Sequence, residues 1–103
     1  MNPYRVLFHP EAKKEFDHLD GSLRKRVLKQ IEKLQQNPTP GENLGNKAGM
    51  DLTGYRKLYA CQKRIRIVYS IHEGKLLVFI IAVGKREDME VYKKAFRRSG
   101  YHR

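Results

Sequence analysis

Two apolar segments joined by a short polar turn constrain the fold of this 103-residue chain more than any other feature. Side chains of a β-strand lie alternately on its two faces, and the first segment alternates in that way. Its apolar side consists of Ile65, Ile67, Tyr69 and Ile71, and its other side of Arg64, Arg66, Val68 and Ser70. Residues 72–75 predict a hairpin turn, and the nearly continuous apolar run from Leu76 to Val83 predicts a central strand buried on both faces. The rest of the chain must therefore pack against this hairpin.

The N-terminal third predicts one short strand and a pair of helices. Residues 4–8 favour a strand, and Pro10 suits the first position of a helix. Apolar residues then recur at helical spacing on either side of the breaking pair Asp20-Gly21, with Ser22 as the predicted cap of the second helix. They are Ala12, Phe16 and Leu19, followed by Leu23, Val27, Ile31 and Leu34. Two amphipathic helices of this kind predict a hairpin packed on the sheet.

The remaining segments complete the predicted order of elements. Residues 37–53 contain two prolines and three glycines without a sustained period, which predicts a long loop before a strand near Tyr55. After residue 86, Asp88 is the predicted cap of a last helix whose inward side chains are Val91, Ala95 and Phe96. The prediction is a single α+β domain over residues 1–103, with a helical hairpin on a small antiparallel-rich sheet and the order β-α-α-β-β-β-α.

The charge balance indicates what kind of partner such a domain would meet. Lys and Arg number 22 against 11 Asp and Glu, so the formal net charge is +11. An excess of this size attracts polyanions, which favours nucleic acid, the ribosome or an acidic protein as partner. The single cysteine, Cys61, cannot form an internal disulfide, and a reducing cytoplasm is the expected compartment. The longest apolar run is too short to span a membrane.

Several kinds of catalytic site find no support in the sequence. The histidines, at positions 9, 18, 72 and 102, have no metal-ligand spacing, and Cys61 stands alone. The glycine-rich stretch GENLGNKAG lacks the ending and the preceding strand of a phosphate-binding loop. We therefore expect neither a metal nor a cofactor.

A cluster of cations with an aromatic neighbour remains as the candidate site. Pairing of the last strands would bring basic side chains onto neighbouring positions, and Tyr92 of the last helix could lie beside them. The basic candidates are Arg56, Lys57, Arg64, Arg66, Lys85 and Arg86. Arginine forks match phosphate oxygens and a tyrosine ring offers a stacking face, so such a cluster would bind a phosphodiester. From these residues alone, an RNA-binding surface without catalysis is an equally good interpretation.

The run VGKREDMEVYKKAFRR, together with RIRIVYSI and the N-terminal FHPEAKKEFDHL, resembles the RelE branch of the RelE/ParE toxin superfamily. The resemblance covers nearly the whole chain. It implies a compact α+β domain and activity as a ribosome-dependent messenger RNA endonuclease. It also implies two partners, a ribosome carrying messenger RNA and a cognate antitoxin that wraps and silences the toxin.

The same resemblance assigns roles to individual residues. The family's strand arginine falls on Arg66, the arginine of its GKR motif on Arg86 and its helix tyrosine on Tyr92. The family's earlier strand usually carries two lysines in alternation, and here either Arg56 or Lys57 fills that role. Strict alternation would turn Arg56 toward the site, whereas Lys57 requires a small offset in the alignment.

The implied reaction is attack of a ribose 2′-hydroxyl on its own phosphate. Arg66 and Arg86 would stabilise the developing charge, and a lysine or a tyrosine would serve as base, since a site crowded with cations favours neutral lysine and tyrosine phenolate. Two alternatives stay open: a ParE-like poison of DNA gyrase, and a basic RNA-binding module without catalysis.

Overall fold

The computed structural model describes residues 3–85 and 89–99. Its elements are β1 (Arg5–Phe8), α1 (Pro10–Asp17), α2 (Gly21–Gln36), β2 (Glu42–Lys47), β3 (Met50–Ala60), β4 (Ile65–His72), β5 (Leu77–Lys85) and α3 (Glu90–Ser99). The strands form one sheet in the order β1-β5-β4-β3-β2. Only the β1–β5 pair is parallel among the described strands. The predicted α+β fold is confirmed, but the predicted order of elements lacked one strand, β2.

Helices cover both faces of this sheet and create two apolar cores. The first core lies between the sheet and the helical hairpin of α1 and α2, and the predicted apolar residues of both helices contribute to it. The second lies between the sheet and α3. In β4, Ile65, Ile67 and Tyr69 belong to the first core, while Val68 belongs to the second. The alternation in the sequence therefore predicted the two faces of β4 correctly.

The loop predicted over residues 37–53 is wrong, because β2 and the first residues of β3 lie within it. The two strands pair antiparallel through a tight turn in which Ala48 and Gly49 have φ of 52° and 81°. Turns with two positive φ values match the twist of a hairpin, but they usually carry Asn-Gly or Asp-Gly rather than Ala-Gly. The register also shifts between Asn43 and Gly45, and Leu44 and Leu52 are buried under α3. Tertiary burial, rather than local propensity, accounts for β2.

Two details of the predicted helices are also corrected. Asp20, not Ser22, caps α2, since its side chain accepts hydrogen bonds from the backbone N–H groups of Ser22 and Leu23. In α3, Val91 and Ala95 are buried as predicted, but Phe96 is 42% exposed. The predicted cap Asp88 lies outside the described residues.

A β-bulge in β5 sets the position of α3. Val68 pairs with Ala82 and Tyr69 with Ile80, so Ile81 is the extra residue. A bulge reverses the alternation that follows it. Gly84 consequently lies on the α3 face of the sheet, where it pairs with Arg66 of β4. A Cβ atom at Gly84 would be 3.2 Å from the Cβ of Val91. The missing side chain therefore allows the start of α3 to approach the end of β5.

An ion pair joins α3 to α1 around the open edge of β5. Both carboxylate oxygens of Glu15 accept hydrogen bonds from Arg98, at 3.0 and 2.8 Å. Beyond the end of β1, Glu15 also accepts the Val83 N–H, and Arg98 donates to the Ile81 carbonyl. On this edge of β5, past the residues that pair with β1, the side chains of Glu15 and Arg98 thus bond the backbone in place of a neighbouring strand.

No helix in the described part of the chain is long and apolar enough to cross a membrane.

Candidate active site

The sheet face beneath the start of α3 gathers cations and tyrosines from three elements. Tyr59 of β3 pairs directly with Arg66 of β4, so their side chains lie on the same face. Lys57 lies two residues before Tyr59 and shares that face. Tyr92 reaches the same place from α3. Register between the strands, rather than closeness in the sequence, therefore assembles the site.

Arg66 is the centre of this group. Its guanidinium carbon lies 4.7 Å from the ring centroid of Tyr92 and 5.9 Å from that of Tyr59. A cation over an aromatic ring is attracted by the negative face of the ring. The Nε and Nη1 atoms of Arg66 are buried without a hydrogen-bond partner among the described residues. The protein thus orients the guanidinium with rings and leaves much of its hydrogen-bonding capacity unused.

Lys57 and Tyr59 form a hydrogen-bonded pair beside Arg66. The Nζ atom of Lys57 donates to the Tyr59 hydroxyl at 3.2 Å and lies 3.4 Å from a carboxylate oxygen of Glu42. The hydrogen bond from Lys57 and the nearby Arg66 guanidinium lower the pKa of Tyr59 to about 8. Burial alone would lower the pKa of Lys57, but its hydrogen bond to Tyr59 and the neighbouring Tyr92 and Glu42 raise it. Lys57 is therefore a cation, whereas Tyr59 can ionise near neutral pH.

Tyr92 is completely buried, and its ring contacts two cations. Besides Arg66, the Nζ atom of Lys47 lies 5.5 Å from the ring centroid. The Tyr92 hydroxyl has no hydrogen-bond partner among the described residues. In this arrangement the ring positions Arg66 and presents no face to solvent, which differs from the stacking role predicted from the sequence.

The structure separates the other predicted residues from this group. Arg56 lies on the opposite sheet face, where it donates to the carbonyls of Thr39 and Gly41 at 3.0 and 2.9 Å. Arg64 and Lys85 are exposed and line a shallow depression near the start of α2. Arg86 lies outside the described residues. Of the predicted catalytic residues that are described, Lys57, Arg66 and Tyr92 lie together.

Sequence reasoning missed Tyr59 and Lys47. Tyr59 lies in a predicted strand whose basic residues alone suggested a phosphate site, although its spacing of two from Lys57 places both side chains on one face. The register across the β3–β4 turn then turns that face toward Arg66. Lys47 lies in β2, which was predicted as loop, and nothing in the local sequence indicated its position.

The group has the properties of a site for a phosphodiester. Its cations, Lys47, Lys57 and Arg66, would attract a phosphate and stabilise additional negative charge on it. Tyr59 adds a hydroxyl with a lowered pKa, and partial exposure makes it accessible. Binding and proton transfer are therefore both possible at one place.

Comparison with known proteins shows which family this chain is similar to. A family model described as the ParE toxin of the type II toxin–antitoxin system parDE matches residues 6–90. The mRNA interferase toxin RelE of Escherichia coli K12 is 32% identical over 98 residues, which cover 92% of this chain and 96% of that protein. The mRNA interferase RelE of Shigella flexneri gives the same values, 32% over 98 residues with 92% and 96% coverage.

Solved structures show the same relationship. The structure of a variant E. coli RelE in the free state has a TM-score of 0.75 at 28% identity and covers 92% of this chain and 96% of its own. RelE in the intact E. coli RelBE toxin–antitoxin complex has a TM-score of 0.64 at 29% identity, with 80% and 95% coverage. The chain therefore belongs to the RelE/ParE superfamily of type II toxin–antitoxin toxins, in its RelE-like branch.

Proposed function

We propose that this protein is the toxin of a type II toxin–antitoxin system and an endoribonuclease that cuts messenger RNA on the ribosome. The observation that carries the proposal is the grouping of Lys57, Tyr59 and Arg66 on one sheet face, with the Tyr92 ring of α3 against Arg66. The name mRNA interferase, given to the E. coli and Shigella relatives, supports the same activity. Such an enzyme would act in the cytoplasm, where translated messages are found.

The reaction is transfer of a phosphate to the neighbouring ribose 2′-hydroxyl, which breaks the bond to the 5′-oxygen of the next nucleotide. Arg66 and Lys57 stabilise the negative charge that develops on the phosphate oxygens. Tyr92 holds the Arg66 guanidinium in position through its ring. Arg86, carried over from the family resemblance, supplies a second arginine. This division of roles concentrates electrostatic stabilisation at one phosphate.

The ribosome contributes what the free protein lacks. In-line attack requires a bent message, and holding a substrate in that geometry can account for a large part of a rate enhancement. A protein with a net charge of +11 would also be drawn to ribosomal RNA. Exposed cations away from the site, Arg64 and Lys85, would add to this attraction, whereas Arg56 is already bonded to the loop before β2.

A cognate antitoxin completes the proposed system. E. coli RelE has been solved in the intact RelBE complex and, as a variant, with a RelB peptide. We expect this protein to bind an antitoxin through an acidic or amphipathic segment, because the toxin is strongly basic. Copurification with the product of a neighbouring small acidic gene would test this partner, and a toxin that stays monomeric beside that product would contradict it.

Cleavage by the purified protein with and without ribosomes tests the proposed activity. The same message is presented on programmed ribosomes and as naked RNA, and new 5′ ends are mapped by primer extension. We expect cleavage on ribosomes and almost none on naked RNA. Equal cleavage of both substrates would refute ribosome dependence. Gyrase-dependent DNA breaks without RNA cleavage would establish the ParE-like alternative, and RNA binding without any cleavage the non-catalytic module.

A further inference from the structure

Tyr59 differs from the other tyrosines that surround the sheet. Burial raises the pKa of Tyr55 and of Tyr69, whereas Lys57 and Arg66 lower that of Tyr59 to about 8. Tyr69 is fully buried, and its hydroxyl bonds the loop before β2 by accepting the Gly41 N–H and donating to the Pro38 carbonyl. Tyr59 is partly exposed, and its hydroxyl faces the cationic group. This phenol therefore has both access and a nearby positive charge.

We propose that Tyr59 is the general base of the reaction and takes the proton from the ribose 2′-hydroxyl; this assignment rests on the proposed function. As the 2′-oxygen forms its bond to phosphorus, its O–H bond breaks and the proton passes to the phenolate oxygen of Tyr59. The bond between phosphorus and the 5′-oxygen breaks, and the leaving oxygen takes a proton from water. The products are a 2′,3′-cyclic phosphate and a free 5′-hydroxyl.

The neighbouring groups are less suited to this role. Lys57 donates to Tyr59, and its pKa is raised, so it carries a proton and cannot accept another at neutral pH. The Tyr92 hydroxyl is buried, and the ring that carries it is covered by Arg66 and Lys47. Lys57 instead makes Tyr59 a competent base, because the ammonium group favours the phenolate form.

The described histidines are also placed elsewhere. His9 is buried and accepts the Glu11 N–H at the start of α1. His72 lies 3.0 Å from the Ser70 hydroxyl, at the far end of β4 from Arg66. His18 ends α1 on the helical side of the sheet. None of the histidines that the structure describes therefore lies at the site, and Tyr59 is better placed than they are for proton transfer.

The pH dependence of single-turnover cleavage on programmed ribosomes tests the assignment. For the wild-type protein we expect the rate to rise with pH and to level off above about 8, where the phenolate predominates. Tyr59→Phe should lower the rate at its maximum by about 10²- to 10³-fold, within the usual contribution of a general base. It should also abolish the inflection near pH 8. Tyr55→Phe removes the same atom from the same strand outside the site and should change neither the rate nor the profile.

Substitution of 3-fluorotyrosine at position 59 keeps the hydroxyl and makes the phenol more acidic. The inflection should then move to lower pH while cleavage persists. In parallel, tyrosinate absorbance of the free protein should show a phenol titrating near pH 8 that Tyr59→Phe lacks. This second measurement does not depend on catalysis.

The outcomes distinguish this assignment from the proposed function. If the wild-type protein cuts ribosome-bound RNA and Tyr59→Phe retains its rate, only the base is wrongly assigned. A slower Tyr59→Phe with an unchanged inflection would make Tyr59 a positioning residue and would equally overturn the proposal. If the wild-type protein cuts no RNA under any condition, the proposed function fails and the base assignment falls with it.

Discussion

Replacing Glu15 by glutamine would remove the charge that ties α3 to α1 while keeping the shape of the side chain. The Glu15 carboxylate accepts two hydrogen bonds from Arg98 and one from the Val83 N–H, and Lys94 lies 3.3 Å away. The glutamine oxygen could still accept from Arg98 in place of Oε1, but its NH2 group would face the Arg98 and Lys94 donors that Oε2 now accepts or neutralises. The substitution therefore leaves a nearly buried guanidinium without its counter-charge.

The expected loss of stability follows from this burial. Breaking a buried ion pair by removing one partner costs about 3–5 kcal/mol. The Arg98 and Glu15 side chains are 13% and 16% exposed, so we expect the lower end of that range, about 3 kcal/mol. A domain of this size loses about 4–8 °C of Tm for each kcal/mol, which gives a fall of about 12–24 °C for Glu15→Gln.

Thermal unfolding at pH 7, followed by circular dichroism, measures this fall. Asp17→Asn is the matched control, because Asp17 lies on the same helix and pairs with Lys13 at the surface, with both side chains 52% exposed. Such a pair contributes about 0.3–0.5 kcal/mol. Hydrogen exchange of α3 should also become faster in Glu15→Gln only. Equal Tm values for the two variants would refute the role of the ion pair in holding α3.

The difference in Tm between wild type and Glu15→Gln should change with pH in a defined direction. Burial would raise the pKa of Glu15, but Arg98, the Val83 N–H and Lys94 together lower it below its usual value of 4.5. A carboxylate with a depressed pKa stabilises the folded state above its unfolded-state pKa and loses that effect as the pH falls. The Tm gap between wild type and Glu15→Gln should therefore narrow below about pH 4.5.

Three further substitutions test the site. Arg66→Ala should lower the ribosomal cleavage rate by about 10²- to 10³-fold, the usual loss for one preorganised donor, whereas Lys25→Ala on the exposed face of α2 should change it little. Tyr92→Phe should keep cleavage and should not lower Tm, because the hydroxyl is buried without a partner among the described residues; a 100-fold loss of rate would show that the hydroxyl takes part. Gly84→Ala should cost about 1–2 kcal/mol in an unfolding assay and slow cleavage, because its methyl group would crowd Val91; an unchanged Tm would contradict the close approach of α3.

The sequence predicted those parts of the fold that follow from periodic burial. Each of these parts is encoded by a local pattern, and the structure confirms them: the helical spacing of apolar residues in α1 and α2, the alternation in β4 and the continuous apolar run of β5. Strand β2 was missed because Glu42–Lys47 has weak strand propensity and becomes a strand through pairing with β3. Local patterns do not contain that information.

The sequence predicted those site residues that belong to a family motif, but not those whose position depends on the register between strands. Arg66 and Tyr92 followed from the family resemblance, and their proximity agrees with it. The choice between Arg56 and Lys57 depended on which face β3 turns toward α3, and pairing of Tyr59 with Arg66 places Lys57 on that face. The turn of residues 61–64 sets this register with three consecutive residues at positive φ, Cys61, Gln62 and Lys63, which no sequence pattern indicated.

Mapping of RNA 5′ ends after induction of the protein in cells shows directly whether it cuts messages that are being translated. Each reporter message is paired with a copy whose start codon has been removed, so that the two differ in translation and not in the remaining sequence. A ribosome-dependent endoribonuclease should produce new 5′-hydroxyl ends within the translated reading frame and none in the untranslated copy. Equal cutting of both copies, or growth arrest without any new RNA ends, would show that the protein is not a ribosome-dependent endoribonuclease.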